Sequence, residues 1–365
     1  MTTTAMLGVI ERRITELVSS FLAMPDDERL DDVCAAVLHA TIRQATVSSE
    51  GGKRLRALLA VDTFDALASD DSRRGALIDL ACAVEVFQTA ALVHDDIIDD
   101  ADLRRGKPAA HKALAGPAHD AALGTGLGIM LGDLLATASV DIANGAARQL
   151  PNADAIIQAF LTMHREVEIG QVLDLAAVQC PMSDPERLAQ ASLDVFRWKT
   201  ASYTTIAPLE LGMLAAGMSP DEARRHALAI GDPLGLAFQL TDDLLDVVGS
   251  SSATGKPIGG DIREGKRTVL LADALTGATP DERRELTAMF EAPMRDETQT
   301  ARAIALFHTT GAIDHSRDRI ETLWTRSLHA IETMGCPTES RTILEQACAR
   351  FVPSVHYTPR EQDSM

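Results

Sequence analysis

Apolar residues recur along this chain at the three-and-four spacing of helices. Residues 77–92, 121–142, 153–177, 188–204 and 223–248 form long apolar-rich runs at that spacing, with few β-branched blocks, and each predicts a helix. No alternating strand pattern of useful length occurs. Two helix starts are written out: Ser219-Pro220-Asp221-Glu222 and Thr279-Pro280-Asp281-Glu282. Each offers an N-cap hydroxyl, a proline at the first helical position and a glutamate three residues after the cap. Pro208 and Pro233 fall inside helical patterns, where a missing N–H predicts a bend or a boundary. The glycine-rich stretch 249–265 is the clearest internal loop, and residues 352–365 read as a polar, flexible tail. The pattern predicts an all-α protein, one large helical bundle over residues 1–351 without an interdomain linker.

Composition narrows the function. At 365 residues the chain has room for a substantial core. Aromatics make up only 4% and the net charge is −19, which argues against base-stacking platforms and repels nucleic acid and anionic lipid at long range. A polyanionic ligand then needs a local basic patch or a bridging metal. The five cysteines are scattered, odd in number and lack a CxxC pair, which fits neither a disulfide framework nor a zinc site and points to a reducing cytoplasm. Charges at Glu11, Arg12, Arg13 and Glu16 interrupt any signal-peptide core, and no later stretch is expected to span a bilayer.

The chemistry sits in acids and bases that composition does not predict. Val93-His94-Asp95-Asp96-Ile97-Ile98-Asp99-Asp100 ends an apolar helical run. Asp95 and Asp99, four apart, share one helix side with Cβ atoms about 5–6 Å apart, a spacing that wants a cation. Gln239-Leu240-Thr241-Asp242-Asp243-Leu244-Leu245-Asp246 repeats the DDxxD pattern. One such cluster can be a solvated helix end; two on apolar helices are poorly explained that way. All-oxygen ligands favour magnesium, which binds through one or two carboxylates, waters and phosphate oxygens. Basic clusters stand at Gly51-Gly52-Lys53-Arg54-Leu55-Arg56 and Leu103-Arg104-Arg105-Gly106-Lys107-Pro108, each able to hold a diphosphate directly. Lys199-Thr200 lies on a polar break in a helical run, and Lys256 and Lys266 flank the loop. Gly124, Gly126 and Gly128 superficially match a nucleotide loop, but without a preceding strand close helix packing is the better reading. His94 fits a neutral helix-face residue better than a base.

These segments closely resemble the trans-isoprenyl diphosphate synthases, or polyprenyl synthetase family. GGKRLR, DDIID followed by RRGKP, GQVLD at 170–174, WKTASY at 198–203, FQLTDDLLD and GKPIGGDIREGKRT occur in order over residues 51–271. The resemblance implies an all-α bundle around a deep central cavity, usually a homodimer. It implies Asp95, Asp96 and Asp99, with Asp242, Asp243 and Asp246, as ligands of about three magnesium ions; Asp95, Asp99 and Asp242 stand out as direct ligands. Arg104, Lys199 and Lys256 match contacts of the allylic diphosphate (dimethylallyl, geranyl or farnesyl). Lys53, Arg56, Gln88 and Arg105 match the pocket for isopentenyl diphosphate, and Thr200 and Gln239 line the reacting centre. The implied chemistry is electrostatic: metal and cationic side chains stabilise charge building on the leaving diphosphate, the isopentenyl double bond attacks the allylic cation, and a proton is lost.

In this family the residues four and five before the first Asp floor the growing-chain cavity. Here they are Ala91 and Ala90, and a turn deeper stands Phe87, beside Val86. Small residues above an aromatic predict elongation past fifteen carbons, halted near twenty, so geranylgeranyl diphosphate is the expected product. A farnesyl or longer-chain synthase is the alternative. A terpene cyclase is disfavoured by DDLLD, GGKRLR and RRG, and a non-catalytic partner subunit by two intact aspartate motifs.

Overall fold

The computed structural model describes residues 2–24, 30–116, 120–249 and 258–353. They are almost entirely helical and fall into two compact units, Met1–His164 with Ala207–Ala223, and Arg165–Ile206 with Arg224–Met365.

The first unit is built around α4 (Arg74–Ile98). Its middle, Leu80 through Phe87, is buried on every side, the signature of a core helix rather than an amphipathic surface one. Against it pack α1 (Thr3–Phe21), α3 (Leu55–Leu67) and α6 (Ala121–Ala147). In α1 the buried residues Met6, Ile10, Ile14 and Val18 make a single stripe at i, i+4 spacing. α2 (Asp32–Ser49) and α5 (Ala110–Leu114) complete the wall, and α9 (Ala207–Ala215), buried at all nine residues, lies on α3. That approach is close: a Cβ on Gly212 would stand 2.7 Å from the Ala60 carbonyl oxygen. α7 (Ala153–Ala177) belongs to this unit as far as His164. The only strands among the described residues are a two-residue pair, β1 (Leu103–Arg104) and β2 (Lys107–Pro108), too short to leave an alternating signature.

The second unit holds the rest of α7, α8 (Pro185–Val195), a π-helical stretch Phe196–Ile206, α10 (Pro220–Val248) and α11 (Gly260–Glu264). After them come α12 (Val269–Gly277), α13 (Pro280–Glu291), α14 (Glu297–Thr309), α15 (Ala312–Thr333) and α16 (Thr338–Ala349). α12, buried over Val269–Leu275, is its core helix and packs on α8 and α15. The run expected as one helix over 188–204 is thus α-helical and then π-helical. α10 belongs to this unit from Arg224 on, and Pro233 lies inside it. Carbonyls next to that proline are taken up by side chains: Ser327 Oγ donates to Ile230 O (2.9 Å) and Thr205 Oγ1 to Gly231 O (2.6 Å). The expected capping box at Thr279 and Glu282 is formed.

The expectation that no stretch is long and apolar enough to span a bilayer needs correction. By length and composition alone α4 and α6 both are. In α4 72% of the most apolar window is buried inside the protein, so its apolarity serves packing; in α6 the share is 33%. All five cysteines are free thiols, and burial raises the pKa of Cys82 and Cys348. Of the expected loop 249–265, residues 250–257 lie outside the described residues, and so does the tail from residue 354.

Candidate active site

In the first unit, α4 carries the first aspartate motif out of the core at its C-terminal end. Asp95 is half-buried and Asp99 exposed, one turn apart. Asp96 is different: it is buried and accepts from Arg104 Nε (2.8 Å) and Arg104 Nη2. The β1–β2 hairpin delivers Arg104 there. Its two-residue turn, Arg105-Gly106, has positive φ at both positions (52° and 76°), which glycine tolerates and arginine rarely adopts. Burial works against the Arg104 charge, but Asp96, with Asp95 and Asp99 nearby, outweighs it and raises its pKa. Arg105 turns away, donating to the carbonyls of Glu50 (2.9 Å) and Gly51 (2.8 Å). It packs so closely on Gly52 that a Cβ there would meet its guanidinium at 3.0 Å.

Between this hairpin, the 50–52 turn and α4 lies a cavity of about 530 Å³, with Arg104, Arg105, Lys107 and Asp96 among its polar lining and Leu92 and Val93 on its apolar side. A second cavity of about 510 Å³, where α1 meets the start of α4, holds none of the predicted residues. Lys53 is exposed. Arg56 is buried and, with the Gln88 amide oriented to satisfy both neighbours, donates to Gln88 Oε1 (2.9 Å) while Gln88 Nε2 donates to Glu85 (3.1 Å). His94 Nε2 lies 3.2 Å from Ile129 O and 3.5 Å from Asp133 Oδ1, in a notch that exists because residue 132 is glycine.

Lower on α4, Ala90 is buried, Ala91 is half-buried, and Phe87 is fully enclosed. The Phe87 ring packs on His164 in a tilted arrangement (centroids 3.9 Å apart, planes at 34°), and His164 also touches Phe160 (4.9 Å) and approaches Ser139 Oγ (3.3 Å). Burial lowers the His164 pKa to about 4, so the ring is neutral near pH 7. His164 was invisible to sequence reasoning, since its partner lies 77 residues earlier.

In the second unit the π-helix presents Lys199 and Thr200. Lys199 Nζ pairs with Asp174 (2.6 Å), the aspartate of the GQVLD stretch. The two backbones approach through Gly170, where a Cβ would come within 2.1 Å of Lys199 N. Arg197 anchors the same stretch, pairing with Glu166 and Asp232, each at 3.1 Å. Thr200 Oγ1 donates to Gln239 Oε1 (3.1 Å), and Gln239 Nε2 donates to Asp243 Oδ1 (2.9 Å).

The second motif is thereby divided. Asp242 is exposed, whereas Asp243 is buried and its pKa rises well above the usual carboxylate range, first through burial and then through Asp261. Asp246 accepts from the backbone N–H groups of Gly260 (3.1 Å) and Asp261 (3.0 Å), holding the start of α11. Burial, then Asp261, raises its pKa. Lys266 is exposed and pairs with Asp261 (3.3 Å) and Glu264 (3.0 Å). Lys256 lies outside the described residues.

The polyprenyl synthetase family model matches residues 38–307. The chain belongs to the polyprenyl synthetase family. It is 32% identical over 298 residues to the short chain isoprenyl diphosphate synthase of Methanothermobacter thermautotrophicus, covering 80% of this chain and 83% of that one. To the octaprenyl diphosphate synthase of Escherichia coli it is 29% identical over 292 residues, 79% of this chain and 82% of that one. Geranylgeranyl pyrophosphate synthase of Corynebacterium glutamicum, solved with isoprenyl diphosphate and magnesium, superposes with a TM-score of 0.81 at 30% identity, over 96% of this chain and 99% of that one. This polyprenyl synthetase is therefore an all-α isoprenyl diphosphate synthase, a prenyltransferase.

Its acids suit the family's magnesium. Among the described residues no three His, Cys, Asp or Glu side chains gather into a closed metal site, and the accessible candidates Asp95, Asp99 and Asp242 all offer oxygen. Magnesium needs no such cage, because it keeps waters and takes phosphate oxygens alongside one or two carboxylates.

Proposed function

We propose that this polyprenyl synthetase condenses isopentenyl diphosphate with an allylic diphosphate and releases geranylgeranyl diphosphate. The observation carrying the product assignment is the floor on α4: small Ala91 and Ala90, then buried Phe87 packed on His164, which in turn meets Phe160. A chain growing down this face would pass the Ala91 and Ala90 methyl groups and then reach the tilted Phe87–His164 pair.

Asp95, Asp99 and Asp242 are the proposed magnesium ligands, for about three ions, with Asp96, Asp243 and Asp246 supporting the neighbouring groups they bond. Bound magnesium supplies positive charge for the leaving diphosphate. The side chains add cations that need no metal: Arg104, paired with Asp96, Lys199, paired with Asp174, and Lys256 and Lys266 from the loop. Arg104 and Lys199 stand ready to bind a diphosphate oxygen in addition to these carboxylates, or in place of them. Thr200 and Gln239, which bond to one another, are the proposed lining of the reacting centre. Lys53, Arg56, Gln88 and Arg105 receive isopentenyl diphosphate. The proposal includes a cytoplasmic location and a homodimer, the latter tested by light scattering.

The deciding experiment incubates purified protein with magnesium, isopentenyl diphosphate and each of dimethylallyl, geranyl and farnesyl diphosphate, and measures chain lengths after dephosphorylation. A twenty-carbon product supports the whole reading. A fifteen-carbon or much longer product keeps the condensation and overturns the floor; no product from any starter overturns the condensation.

A further inference from the structure

Glu85 is an anomaly on α4, an ionisable side chain in that helix's buried, otherwise apolar middle and 1% exposed. It ties together three parts of the first unit. Oε1 accepts the N–H of Ala57 (3.1 Å), in the first turn of α3. Residue 54, the N-cap of that helix, makes no side-chain cap and sits at positive φ (49°); Glu85 supplies the missing acceptor from another helix. Oε2 accepts from Arg54 Nη1 (3.3 Å) and from Gln88 Nε2 (3.1 Å).

Arg54 belongs to the GGKRLR motif yet is spent inside the protein. Its guanidinium is 1% exposed and also grips Glu11 of α1 through Nε (2.7 Å) and Nη2 (3.1 Å), and the Ser49 carbonyl. Of the cations in this motif, that leaves Lys53 and Arg56 to bind a ligand.

The hydrogen bonds have a direction: Arg56 donates to Gln88, and Gln88 donates to Glu85. Arginine is donor-only and a carboxylate acceptor-only. Between them the Gln88 amide has one satisfied orientation, its oxygen on Arg56 and its nitrogen on Glu85. That nitrogen carries a second N–H, the donor that the assignment of Gln88 to the diphosphate calls on. Reversed, the amide would present its oxygen in that place and repel a diphosphate.

We propose that Glu85 is a positioning residue that sets the orientation of the Gln88 amide, and with it the affinity for isopentenyl diphosphate, without touching the substrate. The inference rests on the assignment of Arg56 and Gln88 to that diphosphate. It separates Glu85 from a residue that merely neutralises Arg54.

The test is Glu85→Gln, which keeps the shape and makes one of the two acceptors a donor. The Michaelis constant for isopentenyl diphosphate should rise about tenfold or more, the cost of a lost charge-assisted hydrogen bond. That for the allylic diphosphate should stay within about twofold. Removing one partner of a buried ion pair threatens folding, so Arg54→Met/Glu85→Gln, which removes both charges, is measured alongside. If the isopentenyl constant remains raised in the double variant, orientation is the cause. If it returns to the parent value, or if both substrates' constants rise together, Glu85 only balances Arg54 and the proposal falls. Calorimetric binding of inorganic diphosphate without metal is a second readout, expected to weaken in both variants. Parent protein that binds inorganic diphosphate but turns over no substrate refutes the proposed condensation; unchanged diphosphate binding in the variants refutes the role of Glu85.

Discussion

Replacing Ala91 by Phe puts a ring into the space the growing prenyl chain is proposed to occupy. At 1.5 Å per residue, Ala91 lies about 6 Å and Phe87 about 12 Å along α4 from Asp95. The substitution therefore moves the aromatic floor up by about 6 Å, roughly half the available depth. Ala91 suits the test better than Ala90. Ala90 is 1% exposed, so a ring there overpacks the core at about 1–3 kcal/mol, whereas Ala91 is half-buried. The converse variant, Phe87→Ala, removes the floor and strips His164 of the ring it packs on, at about 3–5 kcal/mol. That is a large share of a typical domain's stability, so its product profile is taken with a thermal melt. The assay is the chain-length distribution after dephosphorylation. Ala91→Phe should shift the main product down by at least one five-carbon unit, and Phe87→Ala should shift it up. An unchanged distribution in a folded, active Ala91→Phe protein would refute the floor.

Three further outcomes are expected. Chelation should abolish turnover and added magnesium restore it; Asp99→Asn should lower kcat by about 10²–10³-fold, and activity that survives chelation would sink the metal assignment. Gly170→Ala should displace the π-helix at Lys199, because its new Cβ would sit 2.1 Å from Lys199 N; a melt lowered by about 1–3 kcal/mol together with lost activity is the result to look for, and parent-like behaviour would contradict the close approach. His164 titrates near 4 in the folded protein against about 6.5 unfolded. The unfolded chain thus takes up the proton first as pH falls, and stability is lost between about pH 6.5 and 4 by about 3 kcal/mol. Urea melts at the two ends of that window should show this loss in the parent and a smaller one in His164→Gln; equal losses would mean that His164 is not buried neutral.

Local periodicity and fixed spacing settled much about this protein before any contact was known. Helical runs, proline-bearing caps and DDxxD clusters depend on residues within a turn or two of each other, so the all-α class, the Thr279 capping box and the helix face shared by Asp95 and Asp99 were legible from order alone. The ordered motifs carried the family. What sequence order does not encode is which polar group spends its bonds on another segment. Asp96 matches a metal ligand in the motif, yet the β1–β2 hairpin brings Arg104 onto it; Asp243 and Asp246 read alike, yet one is buried under Gln239 and the other holds the α11 amides. Arg54 and Arg56 are two residues apart, and only packing against Glu11 and Glu85 makes the first structural. Glu85 did leave one trace, a charge in an apolar run. The physical reason is common to these cases. A side chain's type fixes what it can donate or accept, while burial and long-range partners decide which of those bonds is already made, and so what is left to meet a substrate.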